Sequence, residues 1–141
     1  MNQSPDALAR AWFDEVWNNR DESAIDRLMQ PDVLAHGLGP EPFRGPGAFK
    51  PFYHALKGAL DIKVEVVRTI VQGDMCVAHC HVTGKHVGPT LGGPATHKNV
   101  DFWGMTLLHV KDGKIAEGWN TFDFLTMYQQ VGWVANPVLP A

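Results

Sequence analysis

The fold of this chain is decided by residues 100–122, VDFWGMTLLHVKDGKIAEGWNTF. The pattern has the two-residue period of β-strands, and it predicts long strands over residues 96–110 and 115–122. Between them lies Lys111-Asp112-Gly113-Lys114, in which Asp-Gly readily adopts the positive φ angles of a tight turn. The stretch therefore predicts an antiparallel hairpin.

Two further strands precede this hairpin. Residues 62–71 alternate apolar and charged side chains, and Gly73-Asp74 provides the turn into a strand over residues 75–83. A connection rich in Gly and Pro, residues 84–94, then leads to the hairpin. The second half of the chain is thus predicted to form a four-stranded antiparallel meander.

The first half of the chain has helical periodicity instead. Leu8, Trp12 and Val16 recur at a spacing that places them on one face of a helix. Second and third helices are predicted over residues 21–29 and 46–60 by the same criterion.

Three local signals complete the layout. Pro51 is tolerated only in the first turn of a helix, so the regular part of the third helix is predicted to begin near Ala48. Residues 33–36 are expected to be extended, and Asp123 is expected to cap a final helix over residues 124–131. Helices, a meander and a closing helix together predict an α+β fold with an antiparallel sheet.

Length and charge restrict the organisation and the partners. The chain has 141 residues, which suits a single domain over residues 1–141. Its 12 Lys and Arg residues are scattered and its net charge is -3, which argues against a nucleic-acid partner. No apolar stretch reaches the roughly 18 residues that cross a membrane, so no membrane partner is expected.

The two cysteines bear on the cellular compartment. Cys76 and Cys80 fall on one predicted strand, where their Cα atoms would be about 13 Å apart, too far for a disulfide. The N-terminus also lacks the pattern of a secretory signal. A reduced, cytoplasmic protein is therefore expected.

A pair of histidines raises the question of a metal site. His79 and His81 are two residues apart on a predicted strand, so both side chains leave the same face and could ligate one metal ion. The sequence supplies no clear third ligand, and two polar residues on a solvated or pocket-facing surface are the favoured interpretation. No metal or other cofactor is therefore expected.

Asp101 is the carboxylate within an otherwise apolar stretch. A carboxylate among aromatic residues would hold its proton more tightly and would suit a general base. The alternative is that Asp101 lies on the exposed face or pairs with Lys98 or Arg68. The sequence leaves both interpretations open.

Aromatic and polar side chains together suggest an internal pocket. Phe52, Trp103, Met105 and Trp119 are candidate walls of an apolar cavity between sheet and helices. Asn120 follows Trp119 and could orient a carbonyl or stabilise an enolate oxygen, although an amide cannot take a proton.

Four segments, taken in order, resemble the SnoaL-like polyketide cyclase family: GKHVG at residues 84–88, VDFWG at 100–104, DGKIAEGWNTFD at 112–123 and YQQVG at 128–132. The resemblance spans nearly the whole chain. It implies the cone-shaped α+β barrel of the nuclear-transport-factor-2-like superfamily, in which a curved antiparallel sheet encloses helices around an apolar cavity.

The resemblance also implies chemistry and assembly. Cofactor-free cyclases of this family close a ring of a polyketide methyl ester by an aldol reaction, after a carboxylate removes an acidic proton. Members commonly dimerise through the sheet, and here a face with Val64, Val66, Cys76 and Cys80 is the predicted interface of a homodimer.

The chain departs from the family pattern at the expected base. The family's Asp and His positions correspond to Asn120 and Gly118, so Asp101 or His36 would have to act as the base. Asn120, with His81, would then hold the developing oxyanion.

Two hypotheses about function follow. The first is an enzyme acting on an apolar or aromatic ketone or ester, by cyclisation or isomerisation. The alternative is a binding or carrier protein with the same pocket, for which no titratable group should face the cavity.

Overall fold

The computed structural model describes residues 3–135. An extended tail is also predicted from Trp133, with Pro137 and Pro140 in it; residues 136–141 of this tail lie outside the described range. The elements in chain order are α1 (Pro5–Ala11), a π-helical segment (Trp12–Asn18), α2 (Ser23–Leu28), β1 (Met29–His36), β2 (Phe43–Arg44), α3 (Pro46–Ala59), β3 (Leu60–Gln72), β4 (Met75–His86), β5 (Asn99–Lys111), β6 (Lys114–Phe122) and α4 (Phe124–Gln130). No helix within the described range is long and apolar enough to cross a membrane.

The six strands form one sheet in the order β2-β1-β6-β5-β4-β3. The predicted antiparallel meander is confirmed for β3 to β6. The short extended segment predicted over residues 33–36 is longer, and as β1 it pairs in parallel with β6, with His36 opposite Trp119. The sheet is therefore mixed. Strands β3 to β6 are each antiparallel to the next, whereas β1 and β6, the first and last strands in the chain, lie side by side and run parallel.

The hairpin turn between β5 and β6 has the predicted conformation. Asp112 and Gly113 both have positive φ angles, 52° and 75°. This combination matches the twist of the flanking strands, and glycine adopts it without steric cost.

The N-terminal helix differs from the prediction in its second half. Ser4 caps α1 by accepting a hydrogen bond from the Ala7 N–H at 3.1 Å. From Trp12 onward the helix is a π-helix, and the Asn19 N–H donates to the carbonyl of Asp14, five residues earlier, at 2.8 Å. Side chains four and five residues apart then share one face, and the buried ones include Trp12 and Trp17.

The third helix lies where it was predicted, but its regular part begins earlier than expected. It starts at Pro46 and carries Pro51 inside its second turn, so the expectation of a regular helix only from Ala48 is wrong. Proline at this position removes the hydrogen bond to the carbonyl of Gly47. Both residues are exposed, so water can satisfy that carbonyl.

The inner face of the curved sheet packs against the helices and forms the hydrophobic core. Along β5 the side chains alternate strictly, with Phe102 and Thr106 inside and Asp101, Trp103 and Met105 outside. This alternation decides which of the sequence-predicted site residues can meet in one place.

Candidate functional site

An apolar cavity lies between the inner face of the sheet and the helices. Its volume is about 60 Å³. Two tryptophans and six phenylalanines contribute to its wall, including Trp12, Trp17, Phe49 and Phe52. The π-helical segment thus supplies both Trp12 and Trp17 to the cavity.

The wall of the cavity contains no Asp, Glu, His, Lys, Arg, Cys or Tyr among the described residues. Its polar side chains are Thr106 on β5 and Asn120 on β6. These two residues lie directly opposite each other in the β5–β6 register.

The polar pair is fixed by hydrogen bonds. The Thr106 hydroxyl donates to Asn120 Oδ1 at 2.9 Å, and Asn120 Nδ2 donates to the main-chain carbonyl of His36 at 2.9 Å. An amide has two N–H donors and two lone pairs on its oxygen. One N–H and one lone pair of Asn120 therefore stay available to a molecule in the cavity, together with the lone pairs of the Thr106 hydroxyl.

Asp101 lies on the outer face of the sheet. Its carboxylate is 64% exposed, and its Oδ1 is 2.7 Å from His81 Nε2. Strand alternation is the cause, because the neighbouring Phe102 faces the core. Asp101 therefore lies on the exposed face, which is the second of the two interpretations that the sequence left open. Its partner is His81 rather than Lys98 or Arg68.

His36 also turns its side chain away from the cavity. Its Nε2 is 2.7 Å from Glu117 Oε2, and its ring stacks on Trp119 with the centroids 5.4 Å apart. Only the main-chain carbonyl of His36 reaches the polar pair, through Asn120.

The predicted cavity walls separate into two groups. Phe52 lines the cavity as predicted. Trp103, Met105 and Trp119 do not, because they occupy outward positions on β5 and β6 and are 43%, 50% and 36% exposed. His81, predicted to help hold an oxyanion, lies on that same outer face, with its ring stacked on Trp103 at 4.5 Å.

The histidine pair does not have the arrangement of a metal site. His79 and His81 leave the same face, as predicted, but Trp103 packs against both rings. His79 Nδ1 faces the Arg68 guanidinium, and His81 Nε2 faces Asp101. Within residues 3–135 no group of three potential metal ligands is brought together.

The residues predicted to form a dimer interface are not on an exposed face of the sheet. Val64, Cys76 and Cys80 are buried in the core, because they occupy inward positions on β3 and β4. Burial raises the pKa of the Cys80 thiol to about 12. Trp103 and Met105 on β5 and Trp119 on β6 are instead exposed on the outer face.

The sequence did not predict that Thr106 and Gly118 line the cavity. Strand alternation could have placed both on the inner face of the sheet. Thr106 is four residues from inward-facing Phe102, and Gly118 is two residues from Asn120. Neither residue type stands out by chemistry alone, because Thr and Gly are common in strands and turns.

The geometry defines the class of protein: an α+β fold whose curved sheet and helices enclose an apolar cavity with one polar pair. Solved structures share this fold. A structure from Jannaschia sp. CCS1 superposes with a TM-score of 0.84 at 23% identity, covering 96% of this chain and 99% of that one. TsrD from Streptomyces laurentii has a TM-score of 0.78 at 23% identity, covering 92% and 95%.

The family model described as SnoaL-like polyketide cyclase matches residues 7–131, and this chain belongs to that family. Its fold is accordingly the predicted nuclear-transport-factor-2-like α+β fold. Aklanonic acid methyl ester cyclase DnrD of Streptomyces peucetius is 32% identical over 106 residues, which cover 74% of this chain and 71% of that protein. The cyclase DauD of Streptomyces sp. (strain C5) is 31% identical over 113 residues, covering 79% and 68%.

Proposed function

We propose that this chain binds an apolar, ring-containing small molecule through the cavity, with a carbonyl or hydroxyl of the ligand at the Thr106–Asn120 pair. The observation that carries this proposal is the chemistry of the cavity wall. Among the described residues the wall is apolar and neutral, and its polar groups converge at one point. Apolar sites with a few placed polar groups are typical of small-molecule pockets.

The relatives indicate the chemical class of the ligand. DnrD and DauD are both named for cyclising aklanonic acid methyl ester. A polyketide-like ketone or ester would suit this cavity, because its rings are apolar and its carbonyl oxygen accepts hydrogen bonds. The free N–H of Asn120 is the donor for that oxygen.

Proton abstraction by Asp101 or His36 is disfavoured in this proposal. A general base must come within about 3 Å of the proton that it removes, directly or through one water. Both side chains lie on the outer face of the sheet and are held there by His81 and Glu117. We therefore favour the binding protein over the acid/base enzyme.

Cofactor-free cyclisation is the second candidate, because the curated relatives are cyclases at about 30% identity. In that case Asn120 would donate to the developing enolate oxygen, and a group outside the cavity wall, on the ligand or in solvent, would accept the proton. The two candidates differ in whether a carbon-bound proton exchanges.

One experiment separates them. We would titrate the protein with 2-acetylnaphthalene and with naphthalene by ligand-observed NMR, and would follow deuterium uptake into the methyl group of the ketone in heavy water. The binding proposal predicts that both compounds bind, that Asn120→Leu weakens only the ketone, and that uptake equals that of buffer. Asp101→Asn and His36→Ala are matched controls and should bind the ketone like the wild type.

Uptake above buffer that Asn120→Leu abolishes would contradict the binding proposal and favour the cyclase. Uptake that Asp101→Asn or His36→Ala abolishes would contradict it as well and would identify that residue as the base. Absence of binding for both compounds would contradict the cavity as a ligand site.

We also propose that two copies associate through the outer face of the sheet. The apolar centre of this face consists of Trp103, Met105 and Trp119. Charged side chains of both signs border it on the same face, with Arg68 on β3 beside His79 and Glu117 on β6 beside His36. Exposed apolar patches with a polar rim are typical of protein interfaces.

A reducing, cytoplasmic location also stays a proposal. It is supported by the unpaired state of Cys76 and Cys80, which are both buried free thiols.

A further inference from the structure

We infer that Gly118 is a specificity-determining position: its missing side chain leaves a notch in the cavity wall that receives a planar ring of the ligand. This inference rests on the proposed function, because it assumes that the cavity binds a small molecule. It concerns which molecules fit beside the polar pair.

The backbone does not require glycine at position 118. Gly118 is not among the residues with positive φ angles. A Cβ atom built on it would meet Leu108 Cδ2 at 3.4 Å and the carbonyl oxygen of Leu107 at 4.0 Å, which are ordinary van der Waals separations.

Other strand glycines have clear structural reasons. A Cβ atom on Gly104 would lie 2.2 Å from the Phe122 ring, and one on Gly84 would lie 2.1 Å from the carbonyl oxygen of Asp61. Neither position can carry a side chain without displacement of its neighbours. Gly118 differs from both, because the space beside its Cα can hold a methyl group.

Glycine inside a strand weakens the strand, because it loses more conformational freedom on folding and packs no side chain. Gly118 is buried in the interior of β6 and pairs regularly with Leu108 and Ala35. The bulge of β6 lies two positions before it, at Ala116. Where neither a turn nor a close backbone contact requires it, a strand glycine is typical of a site that a ligand approaches closely.

The notch lies beside the polar pair. Gly118 and Asn120 are successive inward positions of β6, about 7 Å apart along the strand. A flat ring seated against the main chain at Gly118 would therefore carry a carbonyl substituent to Asn120. A flexible alkyl ketone could place its carbonyl there without entering the notch.

The test compares two substitutions with a matched control. Gly118→Ala fills the notch with one methyl group. Gly47→Ala adds the same group in α3, where nothing lies within 4 Å of the built Cβ atom. The probes are 2-acetylnaphthalene and the alkyl ketone 2-nonanone, with dissociation constants from ligand-observed NMR and Tm from calorimetry.

We expect both variants to keep or raise Tm. Gly118→Ala should bind 2-acetylnaphthalene about tenfold more weakly, since one methyl group in an apolar pocket has an effect of this size. It should bind 2-nonanone like the wild type, and Gly47→Ala should bind both probes unchanged.

Three other results would contradict the inference, each for a different reason. Unchanged binding of 2-acetylnaphthalene to Gly118→Ala would overturn the notch and leave the proposed function standing. A clear fall in Tm, or equal weakening of both probes, would show that glycine is needed structurally. Absence of binding of either probe to the wild type would overturn the proposed function and this inference with it.

Discussion

Asn120 shows at the scale of one residue how the chain departs from its family pattern. It lies where the resemblance implies an acid/base Asp, and it faces the cavity. Its amide bonds to the Thr106 hydroxyl and to the His36 carbonyl. The amide fits this place because it offers an acceptor to the first and a donor to the second, whereas an ionised carboxylate offers acceptors only.

This difference predicts the behaviour of Asn120→Asp. We expect the variant to catalyse deuterium exchange into 2-acetylnaphthalene, with a rate that rises at a higher pH than for an exposed aspartate. The reason is that burial and the His36 carbonyl both favour the protonated carboxyl. The rate is measured by mass spectrometry across a pH series.

Asn120→Leu is the control, because it removes the same amide without adding a base. Exchange by Asn120→Asp no faster than by this control would contradict the assignment of position 120 to the reacting part of the cavity.

Cys80 gives a second prediction at the residue scale. Its pKa near 12 means about a thousandfold less thiolate near pH 8 than for an exposed thiol. We therefore expect iodoacetamide to leave Cys80 unmodified in the folded protein and to modify it in urea. Peptide mass spectrometry measures the modification, with glutathione as the exposed reference; rapid modification of the folded protein would contradict the burial.

At the scale of one element, α4 is attached to the sheet at both of its ends. Asp123 caps its N-terminus, accepting from the Thr126 N–H at 3.0 Å. Near the C-terminus, the Gln130 side chain donates to the Asp101 carbonyl at 2.7 Å and accepts from the Asp101 N–H at 2.8 Å. The amide thus continues the strand pairing beyond the end of β6, and it holds the helix whose Phe124 lines the cavity.

The cap makes the stability of the protein depend on pH. Hydrogen bonds from the Thr126 hydroxyl and N–H lower the pKa of Asp123. A lowered pKa stabilises the fold above the ordinary carboxyl range, and this contribution is lost as the pH falls through the folded value. We expect the Tm advantage of the wild type over Asp123→Asn to shrink as the pH falls below about 5 and through the lowered pKa of Asp123.

Asp123→Ala is the comparison at constant pH, and near neutrality it should cost about 1 kcal/mol as the loss of a helix cap. A Tm difference between the wild type and Asp123→Asn that stays constant over the pH series would contradict the assignment.

At the scale of the whole molecule, the curved sheet separates two surfaces with different chemistry. The inner surface is apolar and neutral around the cavity. The outer surface carries the pairs His36–Glu117 and His81–Asp101 around exposed Trp103. The proposed ligand site and the proposed interface with a second copy therefore lie on opposite faces of one sheet.

Association through the outer face predicts the effect of a single charge. We expect the wild type to have the mass of a dimer in size-exclusion chromatography with light scattering, and Trp103→Arg to be a monomer. An arginine at the apolar centre would bury a charge without a partner.

Leu125→Arg is the matched control, because Leu125 is 58% exposed on α4 rather than on the sheet. Its variant should stay dimeric. A wild type that is monomeric at high concentration would contradict the interface.

Local sequence determined much of the architecture. The two-residue period, the Asp112-Gly113 turn and the cap at Asp123 depend only on neighbouring residues, and all appear in the structure as predicted. The parallel pairing of β1 with β6 joins segments about eighty residues apart, and local patterns carry no information about such a partner.

The π-helix is similarly non-local in origin. The local sequence contains no signal that separates a π-helix from an α-helix. In the structure, the π-helix places Trp12 and Trp17 together in the wall of the cavity.

The sequence by itself determined most of the helices and strands, the fold class and the resemblance to a family, because these follow from local periodicity and from ordered motifs. It also placed Asn120 and Phe52 correctly at the cavity. Only the tertiary structure decided that Asp101 and His36 face outward. The physical reason is that a shift of one residue in the pairing of a strand moves every side chain to the opposite face of the sheet. Only the packing of the sheet against the helices determines which face is buried.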